Sequence, residues 1–227
     1  MKLLLTLLIP IFILGKGNAA TINWGSINNG VVDATQVINK GISSIAAAGG
    51  GTITCPSGNY SISSPIVWLS NNVYLSGDGN CNIIPSSDFK GESAILVGQP
   101  SQTSAPTLYG GIHNITVDLS NISTPDLIGV NLVQTWFFNV DDLRIKTANG
   151  LSIPRQTAFQ ISAGELPAGT MWSNWAANNT ISNLQVTGSF INTVRHVSGC
   201  YYANIACNGM VNSTVYFGGF GYDTALD

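Results

Sequence analysis

Few residues in this sequence have the types and spacing for bond-making or bond-breaking chemistry. Asp141-Asp142 is the sole adjacent acidic pair, and Arg144 follows two residues later. Two carboxyls can share acid–base work on a glycosidic bond when one keeps its proton and the other stays ionised. Neighbouring side chains on a strand point to opposite faces, so this pair needs a bulge before both address one bond. Arg195-His196 is the only basic pair, and His196 is one of two histidines. An imidazole beside a guanidinium suits proton transfer next to an anionic group; a solvated turn is the plainer reading. The catalytic candidates are therefore Asp141, Asp142, Arg195 and His196. The substrate-binding candidates are Arg144, Trp172 and Trp175, the two Trp lying in a Gly/Ala/Asn stretch. Their rings could stack on sugar faces or fill a core. Trp136-Phe137-Phe138 reads the same two ways, with core favoured for Phe137 and Phe138. His113 precedes a strand pattern and reads as a turn. No CxxC pair or His cluster has zinc-site spacing.

These residues must be positioned by a repeat. Asn or Asp, apolar, polar, apolar recurs at Asn72, Asn114, Asp142, Asn183 and Asn204, with spacings of 42, 28, 41 and 21. A period near 21 with short alternating strands and Asn or Gly corners predicts a parallel β-solenoid. On that period 42 and 41 are two coils each, and Ala94-Ile95-Leu96-Val97 fills a missing turn. The apolar positions stack into a core. Asn suits a corner because it tolerates left-handed backbone angles, and its amide can hydrogen-bond from coil to coil. Asp142 falls in that corner column, which leaves Asp141 as the groove carboxylate. Asp118, Lys146, Thr187 and Asn208 share one outward column, with Asp118 and Lys146 reading as a surface ion pair. Arg144 and Gln185 share another. An open solenoid needs capped ends. Asp33 with Gln36 reads as a helix start, Ile38, Ile42 and Ile45 follow at helical spacing, and Gly49-Gly50-Gly51 stops the helix.

Composition sets the outer bounds. The chain has 227 residues with 8 Lys+Arg, 11 Asp+Glu and a net charge of −3. Charged residues are 8% of the chain and hydrophobic ones 44%. That excludes a disordered chain and a basic nucleic-acid binder. Residues 1–19 have the positive start, apolar run and small-residue end of a secretory signal peptide, which predicts a secreted or extracellular protein, in the periplasm or at the cell surface. No membrane partner is expected after signal removal. The proposed division is signal 1–19, helical cap 20–51 and coils 52–227. In an exported chain Cys55, Cys81, Cys200 and Cys207 allow two disulfides, of which Cys55–Cys81 and Cys200–Cys207 are the local pairing; free thiols are the alternative. The chain stops inside the coil pattern, with room for about eight coils, which reads as a truncated C-terminal end.

Asn29-Gly30-Val31-Val32-Asp33, the helix, Gly49 to Tyr60 and Ser70 to Gly79 resemble the start of the pectate-lyase superfamily. That group includes rhamnogalacturonase-like, polygalacturonase-like, epimerase-like and phage tailspike-like members. The resemblance is strong over residues 28–80 and rests on the coil pattern beyond. It implies an all-β, right-handed parallel β-helix with an N-terminal capping α-helix. It also implies a polysaccharide partner in a groove, cleaved by a lyase or glycoside hydrolase, with an acidic or pectin-like substrate. A lyase would bring Ca²⁺; no other cofactor is implied. Tailspike-like members imply a homotrimer. The polygalacturonase-like motifs Asn-Thr-Asp and Gly-His-Gly are missing, and Asp141-Asp142 and Arg144-Ile145-Lys146 are fused in one strand. That active site is not carried over. The alternative function is a non-catalytic carbohydrate-binding adhesin or tailspike-like fibre, and a structural spacer is a third.

Overall fold

The computed structural model describes residues 29–98, 107–122, 124–148, 156–162, 176–196, 200–208, 215–217 and 222–226. The expected signal segment, Trp172 and Trp175 lie outside them. In chain order the elements are β1 (Asn29–Asp33), α1 (Thr35–Ala47), β2 (Gly51–Cys55), β3 (Gly58–Ile62), β4 (Ile66–Trp68) and β5 (Val73–Pro85). There follow β6 (Ser93–Val97), β7 (Thr107–Asp118), β8 (Ile128–Val133), β9 (Thr135–Lys146) and β10 (Thr157–Ser162). The last are β11 (Ala176–Thr187), β12 (Asn192–His196), β13 (Cys200–Asn208), β14 (Val215–Phe217) and β15 (Tyr222–Leu226).

Every strand pairing is parallel, and the strands sort into two sheets. The long sheet runs β1-β3-β5-β7-β9-β11-β13-β15 with β2 on β5, and the short sheet runs β4-β6-β8-β10-β12-β14. Each coil contributes one strand to each sheet, which is a parallel β-helix. Alternation puts one apolar residue in two inward, and identical positions stack from coil to coil. Leu75, Ile112, Val140 and Ile181 form one inward column of the long sheet, and Ile83, Val117, Ile145 and Val186 another. Ile66, Ile95, Val130, Phe159 and Val194 face them from the short sheet. All of these are buried, and they belong to one core.

The coils are not uniform. Ile112 pairs with Val140 and Val140 with Ile181, so successive coils take 28 and 41 residues. Tyr201 pairs with Tyr222, a coil of 21. The 41-residue step is therefore one coil with an excursion, and Ala94–Val97 is the short-sheet strand of its own coil rather than a missing copy. Two repeat copies also fall out of phase. Asn72 precedes Val73, which pairs with Gly110, so Asn72 stands level with Tyr109 and not with Asn114. Asn204 pairs with Thr180, and Asn208 with Gln185 rather than with Thr187.

The helix lays Ile38, Ile42 and Ile45 on the first coils, all buried. Its N-cap is Ala34, one residue after Asp33. Asp33 still holds the entry, accepting from the Thr35 N–H at 3.0 Å, from the Thr35 hydroxyl and from Ser63. Cys55 and Cys81 form a buried disulfide with Cα atoms 5.8 Å apart. It closes a loop of 26 residues in sequence separation, worth about 3 kcal/mol. Cys200 and Cys207 lie seven residues apart within β13. Their side chains lie outside the described residues.

Candidate functional site

The long strands are not straight. Asn114, Asp142 and Asn183 have φ of 55°, 51° and 52° and bend β7, β9 and β11 at one shared corner. Asn and Asp pay least for this left-handed geometry. Their side chains form the ladder that the repeat predicts. In the orientation that satisfies both its groups, the Asn114 amide accepts from the Gly79 N–H and donates to Asp142 Oδ2, both at 3.0 Å. Asn183 Nδ2 donates to Asp141 Oδ1 at 3.0 Å.

The corner supplies the bulge that the Asp pair needs. It breaks the alternation, so both Asp141 and Asp142 are partly exposed while Val140 and Leu143 are buried. The two carboxylates nevertheless face different partners. Asp142 reaches the preceding coil through Asn114 and receives both its oxygens' contacts from Arg144 Nη2 at 3.0 Å. Arg144 Nη1 also donates to the Gly79 carbonyl at 3.2 Å. Asp141 reaches the following coil, accepting from Ser182 Oγ at 2.7 Å and from Asn183. The Ser182 hydroxyl is the main reason that the Asp141 carboxyl is held below its ordinary value; partial burial opposes this, and Asn183 adds to it.

Asp141 neighbours His113, at a position whose sequence reads as a turn. Ser76, His113, Asp141 and Ser182 share one register row on the outer face of the long sheet, immediately before the corner. The next outward row holds Tyr74, Gly111, Asn139 and Thr180. The His113 ring stacks on Tyr74, with centroids 6.1 Å apart and planes at 22°. A Cβ on Gly111 would collide with His113 Nε2 and lie 3.0 Å from Tyr74 Cδ1. The imidazole therefore lies back over the glycine. Burial pushes its pKa below 6.5, against the pull of the Asp141 charge, which favours the neutral ring. The available signal was Gly110-Gly111 inside a strand pattern, which marks close approach by another group.

The same face ends in aromatic residues. Tyr109 and Phe137 stand level on adjacent coils, at the corner where the chain enters the long sheet. Their rings stack with centroids 5.3 Å apart and planes at 14°. They are 48% and 46% exposed, whereas Phe138 is fully buried. The core expectation thus holds for Phe138 and fails for Phe137.

Arg195 and His196 are elsewhere. They end β12 in the short sheet, where Arg195 is in register with Gln160 and His196 with Ile161. The structure brings Asp141, Asp142 and Arg144 together and leaves Arg195-His196 out of that group. His196 occupies the register column of Trp68, Val97, Leu132 and Ile161, all buried; its side chain lies outside the described residues. The expected Asp118–Lys146 pair forms at 3.0 Å. A recess of about 380 Å³ lined by Asn59, Ser61, Ser86 and Asn121 holds no charged side chain and is separate from Asp141.

A Ca²⁺-dependent lyase needs several oxygen ligands converging on one point. Among the described residues no three His, Cys, Asp or Glu side chains do so. Asp141 and Asp142 diverge to separate partners, so this carboxylate pair does not fit a Ca²⁺ site.

The profile of one protein family, described as "Rhamnogalacturonase A/epimerase, pectate lyase-like", matches residues 21–224. The chain belongs to this family. Among solved structures, a candidate glycosyl hydrolase from Parabacteroides merdae superposes with a TM-score of 0.68 at 14% identity. The alignment covers 92% of this chain and 93% of that one. The ORF18 protein of Geobacillus virus E2 gives 0.50 at 19% identity, over 82% of this chain and 41% of its own. At such identities the likeness concerns the fold alone. No protein of curated function matches the sequence. The family supports a polysaccharide-related role, and its members are usually extracellular. No helix among the described residues is long and apolar enough to cross a membrane.

Proposed function

We propose that this chain binds a polysaccharide strand on the outer face of the long sheet, ahead of the Asn corner, and acts on it by proton transfer at His113. One observation carries the reading: a half-buried imidazole, stacked on Tyr74, lies in register with the Asp141 carboxylate on an outward face. Membership of a pectate lyase-like family supplies the substrate class. Export by residues 1–19 belongs to the same reading, because such polymers lie outside cells.

Hydrolysis by two carboxyls requires one of them to keep its proton. Asp141, the carboxyl in the His113 row, is shifted the other way. A neutral imidazole is suited to take a proton from a sugar carbon, which favours a lyase over a hydrolase. Under this reading Tyr74 and the space over Gly111 position the imidazole, the Asp141 charge stabilises its charged form, Asp142 is structural, and Arg195-His196 takes no part. The test is turnover of polygalacturonate and alginate, followed by the ultraviolet absorbance of unsaturated products. His113→Ala is expected to lose at least about a hundredfold; turnover equal to the parent chain sinks the assignment.

A second reading is binding without turnover, as in an adhesin. Its support is electrostatic. A uronate beside Asp141 needs a cation, yet Arg144 is committed to Asp142 and Lys146 to Asp118. Glycan binding with no product from any acidic polymer would favour this second reading.

A further inference from the structure

Tyr109 and Phe137 are the most anomalous residues on this face. Both have positive φ, 52° and 57°, and Asn72 shares their column at 59°. Asn is the inexpensive residue for such a corner, and large side chains are strained there. The chain uses Asn once and then two aromatic rings in succession. The rings are not placed there for burial, since each is nearly half exposed. Strained, exposed aromatics on a sheet whose other corner uses Asn and Asp point to a ligand.

The surroundings narrow its chemistry. Along β9 the outward residues are Phe137, Asn139 and Asp141, and Asn139 is exposed. Thr180 is exposed beside it on β11. The ledge is thus apolar, bordered by an amide and a hydroxyl, with no charged side chain nearer along β9 than Asp141. Two half-exposed rings offer on the order of 200 Å², well short of the ~1,000 Å² of a stable protein interface. A pyranose ring matches both parts, with apolar C–H faces and hydroxyl edges.

We propose that the Tyr109–Phe137 stack is a sugar-binding ledge that seats an uncharged pyranose face of the bound strand. Phe137 and Asp141 are four residue steps apart on β9, about 13 Å of extended chain. The ledge therefore holds a different sugar residue from the one beside His113. This inference rests on the polysaccharide-binding part of the proposed function, not on turnover.

The experiment is affinity electrophoresis of the full chain in gels containing polygalacturonate, rhamnogalacturonan, alginate or galactan. The variants are the double Tyr109→Asn/Phe137→Asn and the single Phe137→Tyr. Asn suits the left-handed corner, as Asn72 shows in the same column, so the double variant keeps the backbone. The expected result is retardation of the parent chain in at least one gel. The double variant should bind about tenfold more weakly there, and Phe137→Tyr, which keeps the ring, should bind as the parent does. Equal retardation of the parent and the double variant overturns the ledge and leaves the polysaccharide reading standing. No retardation of the parent in any gel overturns both. Unchanged binding with a change of oligomeric state in the double variant overturns the ledge in favour of a contact between copies.

Discussion

Two corner columns of the long sheet make the same demand on the backbone and answer it with opposite side chains. Asn114, Asp142 and Asn183 form one, and Asn72, Tyr109 and Phe137 form the other, all with φ between 51° and 59°. In the first column each side chain joins its coil to a neighbour. Asn114 bridges Gly79 and Asp142, and Asn183 reaches Asp141. Backbone cost and side-chain gain agree there, so the column is structural. In the second column the rings pay the backbone cost, gain a stack and remain half exposed. Cost and gain disagree, and such disagreement is where function is to be sought.

The largest effect is expected in the amide column. Asn114→Val puts a β-branched residue at φ 55° and removes both coil-to-coil bonds. The loss should be about 3 kcal/mol, read from urea denaturation. A loss below about 1 kcal/mol would erase the contrast between the columns. Asp142→Asn is gentler. It keeps the corner geometry and the acceptor for Asn114 but weakens the Arg144 pair, whose side chains are 34% and 33% exposed. Stability should stay within about 1 kcal/mol, with turnover or binding unchanged; a hundredfold loss of activity would restore Asp142 as a catalytic residue. Tyr109→Asn/Phe137→Asn should leave the urea midpoint nearly unchanged, because relief of left-handed strain offsets a stack worth about 1 kcal/mol.

The smallest effect concerns pH, and its sign follows from His113. Its folded pKa lies below 6.5. As pH falls from 6.5 toward that value, the unfolded chain takes up a proton that the folded chain resists, so stability declines. Above pH 6.5 the contribution is complete. Asp141 acts in the same direction in more acid solution: its lowered pKa stabilises the fold above 3.8, and this is lost as pH falls through the folded value. His113→Gln should flatten the decline in urea midpoint between about pH 7.5 and 5. An equal slope in both proteins would remove His113 from the buried, stacked position argued for it.

Much of the fold could be read from one sequence because its causes are local. Alternation over three or four residues makes a strand, Asn marks a left-handed corner, and Ile38, Ile42 and Ile45 mark a helix face. The phase of the coils could not be read. Register shifts inside the strands, between Ser76 and Cys81 on β5 and between Ile181 and Leu184 on β11, together with coils longer than 21 residues, put Asn72 and Asn204 out of phase with the fixed period. The candidate site suffered from the same limit. Asp141 was legible as a lone groove carboxylate, and Arg144 as its neighbour. His113 was not, because its importance comes from lying in register with Asp141, 28 residues later.

Residue types alone decided that this chain builds a solenoid with amide corners, few charges and a helix over its first coils. Those outcomes need only short-range pattern and hydrophobic burial. Register decided the rest. Pairing β7 with β9 set His113 beside Asp141 and Tyr109 beside Phe137. The bend at Asp142 turned both acidic side chains away from the core, and assignment of β12 to the short sheet removed Arg195-His196 from their company. Loop length controls register, and loop length carries no periodic signal, so only the folded chain could show which side chains share a face.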